Sequence, residues 1–123
     1  MAETDVRKIL VLRGGALGDF IVTLPSLTLL RRRWPAARME VAGNATAGHL
    51  GVAATVVDAV HSQQEARWSA LYSHAALPAD FARWLDSFDL IVNFWPDADG
   101  ELARHFPRRP DQILLSAAAH PTT

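Results

Sequence analysis

The sequence predicts a three-layer α/β/α domain built on a parallel sheet of about five strands. Short aliphatic and β-branched runs alternate with segments of helical spacing, which is the order expected when right-handed helical crossovers join parallel strands. The 123 residues contain no internal repeat, polar linker or change of composition, so residues 1–123 are expected to form a single domain. Half of the residues are apolar, which is enough to build a core without disulfides or metals.

The first element is a strand followed by a long helix. The run KILVLR, residues 8–13, is short and aliphatic and ends at glycines, which is typical of a buried parallel strand. Apolar residues near 3.6-residue spacing from Phe20 to Leu30 predict a helix that closes on Arg31 to Arg33. Pro25 is expected to kink this helix or to mark the start of its regular part, and Pro35 to stop it.

The remaining elements alternate in the same way. Arg38 to Ala42 predicts a second strand, and Thr55 to Val60 a third, with a helix capped by Asn44 over about residues 45–53 between them. Helical spacing of Trp68, Leu71 and Tyr72 marks the less regular stretch that follows. The last predicted elements are a helix over residues 80–87 with Pro78 in its first turn, a strand over 88–94 (FDLIVNF), a short helix around 100–105, and a strand over 112–116.

Composition excludes several function classes. With 12 basic and 13 acidic residues and a net charge of −1, the chain lacks the basic surplus of a generic nucleic-acid-binding protein. The absence of cysteine excludes disulfides, cysteine nucleophiles and thiolate metal sites. His61 and His120 have no carboxylate at ligand spacing, so no metal is predicted. The apolar stretch Phe20–Leu30 is shorter than the roughly 20 residues that span a bilayer, and a cytoplasmic protein is expected.

The loop after the first strand is the first candidate site, because ligands of open parallel sheets bind beyond the carboxyl ends of the strands. Gly14-Gly15-Ala16-Leu17-Gly18-Asp19 fits neither nucleotide motif: the dinucleotide fingerprint would need glycine where Arg13 stands, and no Lys-Ser or Lys-Thr follows. Asp19 already supplies the negative charge that a helix N-terminus attracts. It therefore either caps the helix or, ionised at neutral pH, accepts a proton from a substrate hydroxyl.

Other candidate residues follow the first and fourth strands, and each has a structural alternative. Arg13 either binds a phosphate or carboxylate or pairs with a carboxylate of the glycine loop. Asp97 and Asp99 either bind sugar hydroxyls or make turn and cap hydrogen bonds before the following glycine. Trp68 and Trp95 are candidates for the wall of a sugar-binding surface.

The segment from Lys8 to Val41 resembles the amino-terminal segment of glycosyltransferase family 9, the heptosyltransferases of lipopolysaccharide synthesis. The resemblance depends on a combination of features rather than on one motif. These are the apolar strand, the glycine loop, Gly18-Asp19-Phe20-Ile21, Thr23, Pro25, the arginines at 31–33 and Trp34-Pro35. The run at 88–94 is similar in type to a hydrophobic strand of that family.

The resemblance implies a glycosyltransferase-B architecture, in which two Rossmann-like domains face each other across a cleft. The first domain binds the acceptor and the second binds the nucleotide sugar. Residues 1–123 then correspond to the acceptor-binding domain, and the carboxy-terminal donor domain has no counterpart in this sequence. The implied activity is inverting, metal-independent transfer of a sugar from an ADP-heptose-like nucleotide sugar to an acceptor of the lipopolysaccharide-core type, with no further cofactor.

The resemblance also implies that Asp19 is the catalytic base. From their position after the first strand, Arg13 is expected to orient an anionic part of the acceptor, and Gly14, Gly15 and Gly18 to allow close backbone approach. Asp97 completes the predicted acceptor-binding set. The expected partner is a glycolipid or saccharide acceptor and not a nucleic acid, and the arginines at 31–33 either contact the inner membrane surface or offset the helix dipole. The alternative is a non-catalytic Rossmann-like module that binds a nucleotide or a protein partner; a receiver-like signalling domain fits less well.

Overall fold

A computed structural model of the chain describes residues 6–13, 17–44 and 56–116, with the side chains of its first helix described from Thr23 onward. The elements are, in chain order, β1 (Lys8–Arg13), α1 (Leu17–Arg33), β2 (Arg38–Gly43), β3 (Ala59–Ser62), a first 3₁₀ helix (Ala66–Tyr72), α2 (Ala79–Asp86), β4 (Leu90–Asn93), a second 3₁₀ helix (Ala103–His105) and β5 (Ile113–Ser116).

The five strands form one parallel sheet in the order β3-β2-β1-β4-β5. The central strand β1 is in register with both neighbours, since Leu12 lies opposite Ala42 of β2 and opposite Asn93 of β4. Because all strands run in the same direction, their carboxyl ends meet at one edge of the sheet. That edge is where the segments following β1, β3 and β4 begin.

Alternate residues of β1 point into two separate cores. Ile9 and Val11 pack on one face of the sheet with Leu27 of α1, and we call this side the α1 layer. Leu10 and Leu12 pack on the opposite face with residues of the first 3₁₀ helix and α2, and we call this side the α2 layer. All four β1 residues are fully buried, as expected for a strand covered on both faces. The predicted three-layer α/β/α fold is therefore confirmed.

Helix α1 begins at Leu17, three residues before the predicted start at Phe20. Gly18 and Asp19 consequently belong to its first turn, and the interpretation of Asp19 as the residue that precedes and caps the helix is wrong. The helix continues through Pro25, which lies on its exposed side. Pro25 therefore does not mark the start of the helix, and its absent N–H is the kind of loss that a solvent-facing position tolerates.

The other elements match the predictions in order and type, with shifted boundaries. β3 starts at Ala59 rather than at Thr55, and the predicted helix over residues 45–53 lies outside the described residues. The segment with Trp68, Leu71 and Tyr72 at helical spacing forms a 3₁₀ helix, in which Trp68 and Leu71 are buried. Among the described residues, no helix combines the length and the apolar character needed to cross a membrane.

Candidate functional site

The carboxyl edge of the sheet brings the end of β1 beside the segment that follows β4. The backbone N–H of Phe94 donates to the carbonyl of Leu12 at 2.8 Å and extends the pairing of the two strands beyond Asn93. The guanidinium of Arg13 lies 5.4 Å from the centre of the Phe94 ring. Arg13 is thus positioned at this edge, half-buried and against an aromatic ring.

The backbone of Asp19, the predicted catalytic base, lies next to this edge. α1 starts four residues after β1 ends, and its first turn carries Gly18 and Asp19. Gly14 and Gly15 lie outside the described residues.

Another glycine, Gly43, has a role that sequence reasoning missed. A Cβ on Gly43 would lie 1.8 Å from the carbonyl oxygen of Arg13, so the end of β2 approaches β1 more closely than any side chain permits.

A cleft of about 460 Å³ opens between the segment that follows β3 and the segment that follows β4. We call it the Trp95 cleft; its walls include Gln63, Gln64, Glu65, Trp68, Tyr72 and Trp95. A smaller hollow of about 200 Å³ adjoins it on the far side of Tyr72 and includes Asp97, Asp99 and Glu101. The cleft thus contains both tryptophans, Trp68 and Trp95, that the sequence marked as candidates for a sugar-binding wall.

Hydrogen bonds fix the aromatic walls of the Trp95 cleft. The indole N–H of Trp68 donates to the carbonyl of Ser62 at 2.8 Å, and the Trp68 and Trp95 rings meet edge to face at 5.5 Å. Asn93, fully buried, binds both backbone groups of Trp95, accepting its N–H at 2.8 Å and donating to its carbonyl at 3.2 Å. The hydroxyl of Tyr72 donates to the carbonyl of Pro96 at 2.8 Å. The cleft is therefore held in shape without a ligand.

Asp97 makes the cap hydrogen bonds that were one of its two predicted roles. Its carboxylate accepts the backbone N–H of Leu102 at 2.8 Å and that of Ala103 at 2.9 Å, and so ties the segment after β4 to the second 3₁₀ helix. Burial, and then the negative charge of Asp97, raise the pKa of Tyr72. The Tyr72 hydroxyl is the donor in its hydrogen bond to the carbonyl of Pro96. Sugar binding by Asp97 stays a prediction.

A buried ionic cluster near the cleft was not anticipated. Glu40 of β2 is only 5% exposed; its Oε1 lies 2.6 Å from Nε2 of His61, and its Oε2 accepts from Nε of Arg38 at 2.9 Å. Nη2 of Arg67 lies 3.1 Å from Nδ1 of His61. Because a guanidinium only donates, Nδ1 must accept, and Nε2 carries the proton that binds Glu40. The His61 hydrogen bond, with help from Arg38, holds the pKa of Glu40 below its usual value although burial opposes this.

The ionic cluster is joined to the Trp95 cleft through Arg67. Its guanidinium lies 4.6 Å from the centre of Trp68 and 4.5 Å from that of Trp84, and its Nε donates to Glu65 at 2.9 Å. Glu65 lines the cleft, so its carboxylate is neutralised from behind. The sequence signal for this cluster was a charged residue, Glu40, between residues of an otherwise apolar strand.

The arginines at the end of α1 do not behave alike. Arg31 was expected to stay in solvent or to meet anionic headgroups, but it donates to the carbonyls of Val56 and Ala37 at 3.0 and 2.5 Å and to Asp58 at 2.8 Å. It therefore fastens α1 to the segment that leads into β3. Arg32 and Arg33 are exposed. Within the described part of the chain, no three histidine, aspartate or glutamate side chains are grouped to hold a metal ion.

A comparison with solved structures places this fold among known proteins. The chain is similar to the glycosyl transferase family 9 structure from Veillonella parvula DSM 2008, with a TM-score of 0.59 and 21% sequence identity. The match covers 89% of this chain and 32% of the other, so the chain spans about a third of that structure's length. No model of a known protein family matches, and no curated protein matches either. The parallel α/β fold is thus one found in a family 9 glycosyltransferase.

Proposed function

We propose that this chain is the acceptor-binding domain of a heptosyltransferase-like glycosyltransferase. In this proposal the acceptor is a glycolipid or saccharide of the lipopolysaccharide-core type, and the nucleotide sugar binds a second domain outside these 123 residues. The fold shared with a family 9 glycosyltransferase supports the proposal.

The single observation that carries the proposal is the place of Asp19. Its backbone lies in the first turn of the helix that follows the central strand, beside the carboxyl edge where ligands of open parallel sheets bind. The positive end of a helix dipole favours the ionised form of a carboxylate in its first turn. An ionised carboxylate at such an edge is suited to act as a general base.

The proposed reaction is a direct displacement at the anomeric carbon. Asp19 takes the proton of an acceptor hydroxyl while the oxygen of that hydroxyl forms the new bond to the anomeric carbon. The bond between that carbon and the diphosphate breaks, its electron pair leaves with the nucleoside diphosphate, and the configuration inverts. In this proposal Arg13, which lies at the end of β1 against the Phe94 ring, orients an anionic group of the acceptor.

The test compares Asp19→Asn with the unaltered sequence in the natural polypeptide that contains this domain. Release of nucleoside diphosphate from a nucleotide sugar is measured with a core-type acceptor. Loss of a general base lowers turnover by about 10²–10⁴-fold, with little change in the KM for the acceptor. Asp111→Asn is the matched control, because Asp111 is exposed and pairs with Arg109 just before β5. Turnover retained by Asp19→Asn would contradict the base assignment.

A binding measurement separates the proposal from the non-catalytic alternative. An acceptor domain has little affinity for a nucleotide, whereas a nucleotide-binding module takes one up directly. Titration of the chain with ADP, followed by tryptophan fluorescence, reports on the distinction because Trp68 and Trp95 line the cleft. Tight and saturable ADP binding would favour the nucleotide-binding module.

A further inference from the structure

We propose that the Trp95 cleft and the adjoining hollow form a subsite for a neutral or amino-substituted sugar, and that this subsite excludes phosphorylated sugars. The inference uses the proposed function only to identify this sugar as part of the acceptor. The sugar-binding property itself is argued from the walls of the cleft.

Aromatic side chains line the Trp95 cleft and the adjoining hollow. Tyr72 is 39% exposed and lines both hollows, and Trp68 and Trp95 line the cleft with it. The face of an aromatic ring carries negative quadrupole charge and attracts weakly positive C–H groups. A pyranose presents a row of axial C–H groups on one face, so Tyr72 offers a stacking surface for a sugar ring.

The other walls of the cleft carry hydrogen-bonding side chains. Gln63 and Gln64 carry amides, each of which both donates and accepts hydrogen bonds. A sugar hydroxyl has the same dual character. The Ser69 hydroxyl donates to the carbonyl of Ala66 at 2.9 Å, which leaves its oxygen as an acceptor beside these amides. The walls therefore offer hydrogen-bonding partners to vicinal hydroxyls beside the aromatic surface.

The charge of the lining side chains favours some sugars over others. Among the described residues that line the two hollows, the charged side chains are all carboxylates and none is basic. They are Glu65, Asp97, Asp99 and Glu101. The guanidinium of Arg67, behind the cleft wall, already binds Glu65 and His61. Glu65 is paired with Arg67 and Glu101 with His74, so the repulsion that a phosphate would meet here comes mainly from Asp97 and Asp99. No described residue lining either hollow is basic, whereas an ammonium group would meet opposite charge. Neutral and amino sugars fit, and sugar phosphates do not.

The experiment titrates the full chain with glucose, glucosamine and glucose 6-phosphate at constant ionic strength, and follows tryptophan fluorescence and saturation-transfer NMR. We expect glucosamine to bind at least 3-fold more tightly than glucose, and glucose 6-phosphate at least 10-fold more weakly. The proposal is overturned if glucose 6-phosphate binds as tightly as glucose or more tightly. It is also overturned if neither glucose nor glucosamine binds.

Three variants locate the binding. Tyr72→Ala is expected to weaken glucosamine binding at least 5-fold, whereas Tyr72→Phe, which keeps the ring, retains most of it. Asp99→Lys is expected to raise the affinity for glucose 6-phosphate. Leu29→Ala is the control, since Leu29 is 63% exposed on α1, on the other face of the sheet. Unchanged affinities in Tyr72→Ala overturn the proposal.

The outcomes for this subsite and for the proposed function are independent. If sugar binding fails while Asp19→Asn abolishes transfer, the subsite is wrong and the transferase proposal stands. If the predicted binding order is observed while Asp19→Asn keeps its turnover, the subsite stands and the base assignment fails.

Discussion

Replacement of Glu40 by glutamine tests whether the buried ionic cluster stabilises the fold. In the native chain both carboxylate oxygens are in use, Oε1 with Nε2 of His61 and Oε2 with Nε of Arg38. Glutamine keeps one acceptor oxygen but replaces the other with an amide N–H₂. If its oxygen faces His61, the amide donors face the guanidinium of Arg38; the flipped amide faces the N–H of His61 instead. Either way, one donor loses its acceptor.

The expected loss of stability follows from the exposure of each partner. The His61 side chain is 22% exposed, so its charge-assisted bond to Glu40 is worth about 1.5–2 kcal/mol. Arg38 is 55% exposed, and solvent screening reduces its bond to about 0.5 kcal/mol. Glutamine keeps one of these bonds in neutral form and loses the other, so we expect Glu40→Gln to lower the free energy of unfolding by about 1–2 kcal/mol at pH 7, which corresponds to a fall in Tm of roughly 3–12 °C.

The pH dependence gives a second reading of the same substitution. The pKa of Glu40 is lowered in the folded chain, first by its hydrogen bond to His61. A carboxylate with a lowered pKa stabilises the fold above the pKa it has when unfolded, and this contribution disappears as the pH falls through its folded pKa. The difference between Glu40→Gln and the native chain should therefore be full at pH 7 and shrink below about pH 4.

Urea denaturation followed by tryptophan fluorescence measures these differences. Glu101→Gln is the control, because its partner His74 is 74% exposed and the pair should contribute less than about 0.5 kcal/mol. A Glu40→Gln variant within 0.5 kcal/mol of the native chain at pH 7, or a difference that grows in acid, would refute this account of the cluster.

Three further substitutions test the sheet and the segments attached to it. Gly43→Ala should lower the free energy of unfolding by at least about 2 kcal/mol, because its Cβ would lie 1.8 Å from a backbone oxygen of β1 that cannot move aside. Gly100→Ala has open space but a φ of +71°, so urea midpoints should show a smaller loss of about 1 kcal/mol. Asp89→Asn should cost about 2 kcal/mol at pH 7, since its carboxylate accepts the backbone N–H groups of Arg7 and Lys8 at 2.8 and 3.0 Å and binds Arg109 at 2.5 Å. Burial would raise the pKa of Asp89, but these donors together lower it, so the deficit should vanish as the pH falls below about 4; a deficit that persists at pH 3 would contradict the assignment.

The order of the sheet elements was predictable from the sequence because it depends on local composition. Runs such as KILVLR are apolar on both faces, and only a strand covered by two layers buries them fully. Boundaries were less predictable because they depend on contacts distant in sequence. β4 starts at Leu90 and not at Phe88, since the backbone N–H of Phe88 bonds to Leu85 at the end of α2. The side-chain period does not encode that hydrogen bond.

The site was only partly predictable for the same reason. Arg13 and Trp95 could be placed at the carboxyl edge because each lies at the end of a predicted parallel strand. The pairing of Glu40 with His61 joins residues 21 positions apart on neighbouring strands, and it follows from the register that sets Glu40 opposite Ala59. A charged residue within an apolar strand shows that a partner is needed, but only the register shows which one.

The charge distribution along the carboxyl edge bears on both proposals at once. Arg13 lies at the end of the central strand, whereas the charged side chains among the described residues lining the hollows beyond β3 and β4 are all carboxylates. An acceptor that carries an anionic group on one sugar and a neutral or amino-substituted neighbour can satisfy both regions in only one direction. If the acceptor bound in the opposite direction, its anionic group would lie among carboxylates and its neutral sugar would lie beside Arg13. Electrostatic complementarity of this kind selects an orientation more than it adds affinity. The proposed transferase would modify one hydroxyl among many and would need such a selection, which this charge distribution would supply before the acceptor reached Asp19.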